Sequence, residues 1–484
     1  MSTARNVVAV DLGAESGRVV LATLHDGRIS LEVVHRFPNV PVQVGETLHW
    51  NILSLWHEIQ SGISACRDRS PHSIGVDTWG VDFGLLDENG RLLGNPVHYR
   101  DARTEGMQQV AFGRVPRDEI FEATGIQFMP INTLYQLLSM AQAGDPTLDA
   151  ARTFLTIPDL LNYWLTGEKV CEFSNATTTQ CYNPSTRDWA LEMLGRLGIP
   201  TEIFPRIVAP GTHLGTYLNI PVVVPACHDT GSAVAAVPAQ TPRFAYISSG
   251  TWSLLGLEVP EAILSEEALA ANLTNEGGVE GTFRFLKNIM GLWLVQQCRS
   301  TWAAAGKDYT YDVLTDLARE APSFAALIDP DCEIFLPPGD MPARITQFCR
   351  QTGQEPPNTI SATVRCILES LALKYRYVLD LLVRVGGQTV DVVHIIGGGT
   401  QNDLLCQMTA NATQRPVVAG PVEATALGNA LVQCLALDEI GSLDEARATV
   451  RKSFELVTYE PQQTEAWDDA YGRFQPLVGT VISD

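Results

Sequence analysis

The sequence lacks any run that approaches the ~20 consecutive apolar residues needed for a membrane-spanning helix. Residues 1–7 also lack the apolar core of a secretory signal peptide. Low-complexity segments and long linkers of disordered composition are missing as well. These absences predict a folded cytoplasmic protein that has no membrane partner.

The spacings typical of zinc sites are also missing. The ten cysteines include no C-x-x-C pair, and the nine histidines include no H-E-x-x-H motif. We therefore expect no zinc site. The thiols are expected to be reduced and mostly buried, as in other cytoplasmic proteins, and the sequence leaves open whether Cys349 and Cys366 pair.

Basic residues are scarce, with 33 lysines and arginines against 55 aspartates and glutamates and a formal net charge of −22. Non-specific binding to nucleic acid or to an anionic membrane requires a basic surface, so this balance excludes both classes of partner. Any bound phosphate must then be held by backbone N–H groups, a divalent cation and a few cations such as Arg18.

A duplicated segment is the most informative feature that is present. Residues 7–18 and 244–253 are built alike, each with an apolar run, a loop of small residues and a second apolar run after it. The pattern predicts two β-hairpins whose glycine loops bring N–H groups close to an anion, so that together they could clamp a polyphosphate. Because 484 residues exceed one usual core, we expect two domains, at 1–243 and 244–484.

The remaining apolar runs predict an α/β fold in both halves. In the first half we expect an antiparallel three-stranded meander, a helix, a buried strand, a mainly helical region, a strand and a small-residue helix: residues 7–12, 19–24, 29–37, 52–66, 73–83, 100–189, 220–227 and 231–237. In the second half we expect the same order in outline: residues 244–259, 283–286, helices to 384, and then 390–396, 402–412, 417–419 and 423–436.

Two carboxylates stand where strands are predicted to end. Asp11 precedes the first glycine loop, where it could hold Mg²⁺ directly or through water, or could simply bond its own backbone in the turn. Asp229 lies between a strand and a helix, the ligand-binding position of open α/β sheets. It could accept a proton from a substrate hydroxyl, or serve only as a helix N-cap.

Two segments rich in small residues are predicted to be helical, at 231–236 and 424–430. Small side chains allow close approach of two helices, so this pair could cross at the domain interface and act as a hinge. Ordinary packing within each domain is the alternative.

Motifs along nearly the whole chain resemble the FGGY carbohydrate kinases. The resemblance rests on residues 11–18, 75–83, 99–101, 125–128, 132–137, 175–180, 228–230, 248–253, 275–278, 286–293 and 397–399. It implies the α/β fold of that family, with two actin-like (ribonuclease H-like) domains and a central catalytic cleft.

The resemblance also implies a role for individual residues. An ATP loop is implied at Ala14, Glu15, Ser16, Gly17 and Arg18, with further nucleotide contacts at Thr251, Gln296 and Gly398. Gly80, His228, Asp229, Thr230 and Asn288 would line the sugar pocket, and Asp229 would be the proton acceptor. The loop departs from the family in two ways: Ala14 replaces a threonine, so backbone must contact phosphate there, and Glu15 places a negative side chain beside it.

The activity implied is ATP-dependent and Mg²⁺-dependent phosphorylation of a ketose at its C1 hydroxyl, with L-rhamnulose of L-rhamnose catabolism as the expected substrate. L-fuculose or another deoxyketose is the alternative. A non-enzymatic alternative is an actin-like sensor of nucleotide or sugar, which would be expected to lack the proton acceptor. The expected partners are the small-molecule substrates, and the expected state is a monomer or small homo-oligomer.

Overall fold

A computed structural model describes residues 4–482, so the outer ends of the two predicted domains, at residues 1 and 484, lie outside the described residues. Its strands are β1 (Arg5–Leu12), β2 (Ser16–His25), β3 (Arg28–Pro38), β4 (Val42–Val44), β5 (Thr47–His49), β6 (Ser73–Thr78), β7 (Phe83–Leu86), β8 (Thr153–Thr156), β9 (Cys171–Glu172), β10 (Tyr182–Asn183), β11 (Asp188–Trp189), β12 (Ile207–Val208), β13 (His213–Tyr217), β14 (Ile220–Val223), β15 (Phe244–Ser249), β16 (Trp252–Val259), β17 (Thr274–Gly277), β18 (Phe283–Met290), β19 (Val392–Ile396), β20 (Val417–Ala419) and β21 (Val457–Tyr459).

The α-helices are α1 (Ile52–Ala65), α2 (Met107–Arg114), α3 (Arg117–Thr124), α4 (Thr133–Ala143), α5 (Pro146–Ala150), α6 (Ile157–Thr166), α7 (Phe173–Thr178), α8 (Leu191–Leu197), α9 (Asp229–Ala235), α10 (Glu266–Ala270), α11 (Trp293–Ala304), α12 (Tyr311–Glu320), α13 (Met341–Gln351), α14 (Ile360–Gly386), α15 (Asp403–Thr413), α16 (Ala424–Ala436), α17 (Leu443–Ser453) and α18 (Thr464–Phe474). Of these, no helix is both long enough and apolar enough to cross a membrane.

The chain forms two compact units, each built from more than one segment. Of the described residues, unit 1 contains 4–240, 258–285 and 424–453, and unit 2 contains 241–257, 286–423 and 454–482. The units therefore do not coincide with a single cut in the chain. The domain division at 243 and 244 stays a prediction.

Unit 1 is organised around a six-stranded sheet in the order β13-β14-β6-β1-β2-β3. Strand β1 pairs antiparallel with β2 and parallel with β6, and β2 continues antiparallel into β3. This confirms the predicted meander. Its second turn has positive φ at Asp26 and Gly27 (50° and 68°), which matches the twist of a two-residue hairpin.

The two faces of β1 are covered by different layers, which explains its continuous apolar sequence. Val8 and Val10 belong to the main core of unit 1, which includes apolar residues of α1, whereas Ala9 packs with Val20 and with Ala426 of α16. A strand that is buried on both faces cannot alternate apolar and polar residues. The carboxyl end of such a strand is where the sheet can present polar side chains.

Unit 2 repeats the sheet arrangement. Strand β15 pairs antiparallel with β16 and parallel with β19, which pairs parallel with β20. The neighbour order β16-β15-β19-β20 therefore corresponds to β2-β1-β6-β14 in unit 1. The duplication predicted from the two hairpins is confirmed.

The two small-residue helices cross, but within unit 1. Helices α9 and α16 both belong to that unit and pack against each other. A Cβ atom added to Gly428 of α16 would overlap the carbonyl oxygen of Ser232 in α9. The predicted crossing is therefore confirmed, and it lies inside one compact unit, because residues 424–453 cluster with unit 1. Its role as a hinge between domains stays a prediction.

The cysteines are as expected from their scattered positions. All ten are buried and free. The thiols of Cys349 and Cys366 hydrogen-bond to each other, which lowers the pKa of Cys349 and raises that of Cys366. The question of pairing is thus answered by a thiol contact without a disulfide.

We expect Gly428→Ala to destabilise the protein by at least about 1–3 kcal/mol, because the overlap is with backbone, which cannot move aside. Urea unfolding of the full chain measures the change. The matched control is Gly472→Ala on α18, where an added methyl group meets nothing within 4 Å and the better helix propensity stabilises by up to about 1 kcal/mol. Equal unfolding midpoints for the two variants would contradict the close crossing.

Candidate active site

Three carboxylates converge at one edge of the unit 1 sheet. Asp11 and Asp77 are direct partners in the parallel register of β1 and β6, so their side chains project from the same face. Asp229 follows β14 and interacts electrostatically with both. A parallel bridge between Thr78 and His228 brings the β14 loop beside the end of β6. This edge is the crevice position that binds ligands in open α/β sheets.

Asp11 is nearly buried and is paired with Arg18. The Nε and Nη2 atoms of Arg18 donate to Asp11 Oδ2 at 2.8 and 2.6 Å, because the two residues face each other across the β1–β2 hairpin. The loop between them is closed by Gly13 N–H donating to the Ser16 carbonyl oxygen (2.9 Å), and Glu15 is exposed at its tip. The Arg18 side chain therefore contacts the Asp11 carboxylate, whereas Glu15 is exposed to solvent.

Asp77 was missed by sequence reasoning as a site residue. Its side chain is fully buried, and Asn429 Nδ2 of α16 donates to Oδ2 at 2.6 Å. Among residues 4–482, no hydrogen bond ends on Oδ1. Burial, and then the neighbouring Asp11, raise the pKa of Asp77 well above the usual carboxyl range. In the sequence, Asp77 could have been recognised as the single charged residue of a strand, at 73–78, whose other residues are apolar or small.

Asp229 is the first residue of α9, but it does not cap the helix. The N-cap position is His228, and no side chain caps this helix end. Thr230 N and Oγ1 donate to Asp229 Oδ1 at 2.6 and 3.2 Å, and His228 Nε2 lies 3.4 Å from the same oxygen. In the described part of the chain, Oδ2 receives no hydrogen bond. This arrangement leaves one carboxylate oxygen available as a proton acceptor.

The electrostatic surroundings of Asp229 suit such a role. Burial raises the pKa of its carboxyl above the ordinary value, His228 opposes the shift, and Asp11 adds to it. About 29% of the side chain nevertheless remains exposed. A carboxylate with a raised pKa is a stronger base than an ordinary one, which favours proton abstraction near neutral pH.

Behind His228 lies a buried group of charges that the sequence did not reveal. Nδ1 of His228 lies 3.2 Å from Glu276 Oε2 and 3.0 Å from Arg284 Nη2, and these two side chains form an ion pair at 3.2 Å. Glu276 and Arg284 come from β17 and β18. Only the fold brings them to the histidine.

Gly80 lies in a tight turn that is fixed by side chains from other segments of the chain. A Cβ atom there would come within 2.8 Å of Thr178 Oγ1, so only glycine fits. The next residue, Val81, has φ 66°, which is unusual for a β-branched residue. Its N–H donates to Thr178 Oγ1 (3.1 Å), and its carbonyl oxygen accepts from Thr133 Oγ1 (2.5 Å) and Gln136 Nε2 (3.3 Å). These three bonds maintain the strained conformation.

Glu172 connects the backbone at Cys227 and His228 to α7. The buried carboxylate accepts hydrogen bonds from Ser174 N (2.8 Å) and Oγ (2.6 Å), Asn175 N (3.2 Å) and Cys227 N (2.9 Å). The hydroxyl oxygen of Ser174 in turn accepts from His228 N at 3.1 Å. Glu172 therefore positions the backbone directly before Asp229, a role that its place in the sequence does not indicate.

The predicted nucleotide contacts of unit 2 lie close together. Gln296 Nε2 of α11 donates to Thr251 Oγ1 at 3.2 Å. Ser249, two residues before Thr251, packs directly against Gly399 after β19. Gly398 is exposed, and a Cβ atom on it would meet nothing within 4 Å. Asn288, a predicted sugar contact, also belongs to unit 2, on β18.

The donor set can be compared with the requirements of Mg²⁺. In residues 4–482, no group of three or more His, Cys, Asp or Glu side chains is placed to hold a metal ion. Mg²⁺ at phosphoryl-transfer sites usually needs only one or two carboxylates, together with water and phosphate oxygens. Asp11, beside a second carboxylate at Asp77, fits that requirement.

Comparison with known proteins identifies the family. Residues 6–225 match the N-terminal domain and residues 245–437 the C-terminal domain of the FGGY family of carbohydrate kinases. The chain belongs to the FGGY family. It is therefore an ATP-dependent sugar kinase, and the predicted two-domain α/β kinase fold is confirmed.

Curated relatives match this chain over nearly its whole length. A rhamnulokinase of Bacteroides thetaiotaomicron is 45% identical and covers 98% of this chain and 99% of its own length. A rhamnulokinase of Pectobacterium atrosepticum is 42% identical and covers 98% and 96%.

Solved structures show the same fold at lower identity. Ligand-bound xylulose kinase from Lactobacillus acidophilus has a TM-score of 0.81 and 16% identity, covering 98% of this chain and 97% of its own. Glycerol kinase with ADP from Plasmodium falciparum has a TM-score of 0.76 and 17% identity, covering 97% and 98%.

Proposed function

We propose that this kinase transfers the γ-phosphoryl group of ATP to the C1 hydroxyl of L-rhamnulose, giving L-rhamnulose 1-phosphate and ADP in L-rhamnose catabolism. The substrate is supported by the rhamnulokinases at 40–45% identity over nearly the full chain. The chemistry is supported by one observation, the Asp229 carboxylate, which is anchored through Oδ1 and open at Oδ2.

In the proposed reaction, Asp229 Oδ2 accepts the proton of the C1 hydroxyl as its oxygen bonds to the γ-phosphorus. The bond from that phosphorus to the bridging oxygen of ATP breaks, and ADP leaves. Thr230 and His228 hold Oδ1, so the carboxylate does not need to reorient during proton transfer. Phosphoryl transfer depends mainly on such positioning and on stabilisation of charge.

The nucleotide is proposed to bind through Ala14, Glu15, Ser16, Gly17 and Arg18 together with Thr251, Gln296 and Gly398. The backbone of the first loop supplies N–H donors. Glu15 points to solvent, so it does not place its charge against phosphate. Arg18 neutralises Asp11 in the structure, which lowers the negative charge next to the phosphate loop. Gly398 supplies open space where we propose that adenosine lies.

Asp11 is the residue proposed to hold Mg²⁺, directly or through water. When bound, Mg²⁺ would neutralise charge on the phosphate oxygens.

Gly80, His228, Asp229, Thr230 and Asn288 are proposed to contact the ketose. Residues 228–230 are consecutive at the start of α9, and Gly80 follows β6, whose Thr78 bridges to His228. We propose a cytoplasmic location on the basis of the ten free thiols. The proposed partners are ATP and the ketose alone, with a monomer or small homo-oligomer as the state.

Two alternatives can be compared with these observations. L-fuculose or another deoxyketose would use the same base, so only turnover distinguishes it from L-rhamnulose. A silent actin-like sensor is disfavoured by Asp229, because such a protein has no need for a carboxylate held with one oxygen open and its pKa raised.

L-Rhamnulose should give the highest kcat/KM in a coupled ADP-release assay, with L-fuculose and L-xylulose lower and glycerol nearly inert. A site that hydrogen-bonds several hydroxyls is left with unpaired polar groups when a smaller polyol binds. A clear preference for L-fuculose or L-xylulose would overturn the substrate, while glycerol as the best substrate would also overturn the ketose class.

Asp229→Asn should lower kcat by about 10²–10⁴-fold while the fold and ATP binding persist, because the amide retains an oxygen for Thr230 but cannot accept the proton. Steady-state kinetics and a thermal melt on the purified variant measure both effects. Asp145→Asn is the matched control, since Asp145 is a true N-cap whose side chain accepts from Thr147 N at 2.8 Å. A kcat for Asp229→Asn within a few-fold of this control would reject the role of Asp229 as the base.

Gly398→Val should raise the KM for ATP at least about tenfold and leave the KM for the ketose and the melting temperature nearly unchanged. A Cβ atom at this position meets no protein atom within 4 Å, so a rise in the KM for ATP with an unchanged melting temperature indicates a clash with the ligand. Gly94→Val, at a glycine with equally open surroundings in unit 1, is the control and should change neither KM. An unaltered KM for ATP in Gly398→Val would place the adenosine elsewhere.

A further inference from the structure

Arg284 is a fully buried arginine that lies against His228, the residue directly before the proposed base Asp229. Its Nε donates to the Gly277 carbonyl oxygen at 2.9 Å, which fixes the guanidinium plane. Its Nη2 lies 3.0 Å from His228 Nδ1 and 3.2 Å from Glu276 Oε2. Burying a cation costs free energy unless the cation is paired. The position of Arg284 therefore depends on its polar contacts as well as on packing.

The contact determines where the histidine carries its proton. A guanidinium can only donate hydrogen bonds, and Nη2 has two hydrogens. The 3.0 Å hydrogen bond from Nη2 is directed to His228, so Nδ1 must accept, while Glu276 Oε2 forms an ion pair with the same Nη2 at 3.2 Å. A neutral imidazole with an accepting Nδ1 carries its proton on Nε2.

Glu276 alone would favour the opposite arrangement. Its carboxylate lies 3.2 Å from His228 Nδ1 and can only accept, so without Arg284 it would draw a proton onto Nδ1. The charged groups facing the imidazole are Asp229 from α9, Glu276 from β17 and Arg284 from β18. Arg284 is the only one of these three that donates.

We propose that Arg284 is a positioning residue that holds His228 in its Nε2–H form, so that Nε2–H points at Oδ1 of Asp229 and leaves Oδ2 for the sugar hydroxyl. The distance from Nε2 to Oδ1 is 3.4 Å, and catalytic hydrogen bonds of this length commonly shorten when substrate binds. Only the last step of this inference, the effect on turnover, rests on the proposed function.

The tautomer can be measured without substrate. Long-range ¹H–¹⁵N spectra of protein labelled at its histidines distinguish the Nε2–H, Nδ1–H and doubly protonated forms, and the His228→Asn spectrum assigns the signal by subtraction. We expect the Nε2–H form in the wild type. A wild-type Nδ1–H form would overturn the proposal.

Arg284→Met should shift the His228 proton to Nδ1 or give the doubly protonated ring. The kcat should fall by about 10²-fold, while the KM for ATP stays within a few-fold, because a misdirected base impairs the chemical step and not nucleotide binding. Arg365→Met is the control. It breaks the 2.7 Å ion pair with buried Glu369 on α14 and should lower the melting temperature without changing the tautomer or kcat.

Glu276→Gln tests the same point should Arg284→Met fail to fold. The amide keeps the shape of the side chain, and the Arg284 donation remains, so the Nε2–H form should persist. A change of tautomer in Glu276→Gln would show that Glu276 determines it and would overturn the proposal. Because the spectra need no turnover, a wild type that fails to phosphorylate L-rhamnulose would refute the proposed function without affecting this result.

Discussion

Repulsion between carboxylates at one sheet edge is the constraint on which the rest of unit 1 depends. Asp11 and Asp77 face the same side of adjacent strands, and Asp229 interacts with both. Each needs its own compensation in a partly desolvated site. Arg18 supplies a charge to the first, Asn429 a hydrogen bond to the second, and Thr230 two hydrogen bonds to the third. Burial, and then the neighbouring Asp11, raise the pKa of the Asp77 and Asp229 carboxyls, which is useful for a base.

Positioning of these groups relies on buried polar side chains far from one another in sequence. Glu172 holds the backbone before Asp229, and Thr178 holds the turn at Gly80 and Val81. Buried acceptors and donors of this kind cost free energy unless all partners are present, so they specify one conformation of the loop. The rigid scaffold explains how a short helix such as α9 can present a carboxylate in one orientation.

Much of the fold could be predicted because its signals are local. The two hairpins, the meander and the strand at 392–396 all follow from apolar runs broken by small residues, and the structure confirms them. The crossing of the two small-residue helices was also recognised, although the structure places both helices in one compact unit. Local composition reveals that helices can approach closely, yet it does not reveal which segments cluster into one compact unit.

The sequence by itself determined the two repeated hairpins, the negative net charge and the position of Asp229 between a strand and a helix, because each depends on neighbouring residues or on summed charge. Only the tertiary structure decided that Arg18 faces Asp11, that Asp77 joins the carboxylates, and that Arg284 lies against His228. These contacts depend on how strands pair and on where the segments between them lie, which are properties of the whole fold. A buried charge acquires its partner, its pKa and its direction only when that fold forms.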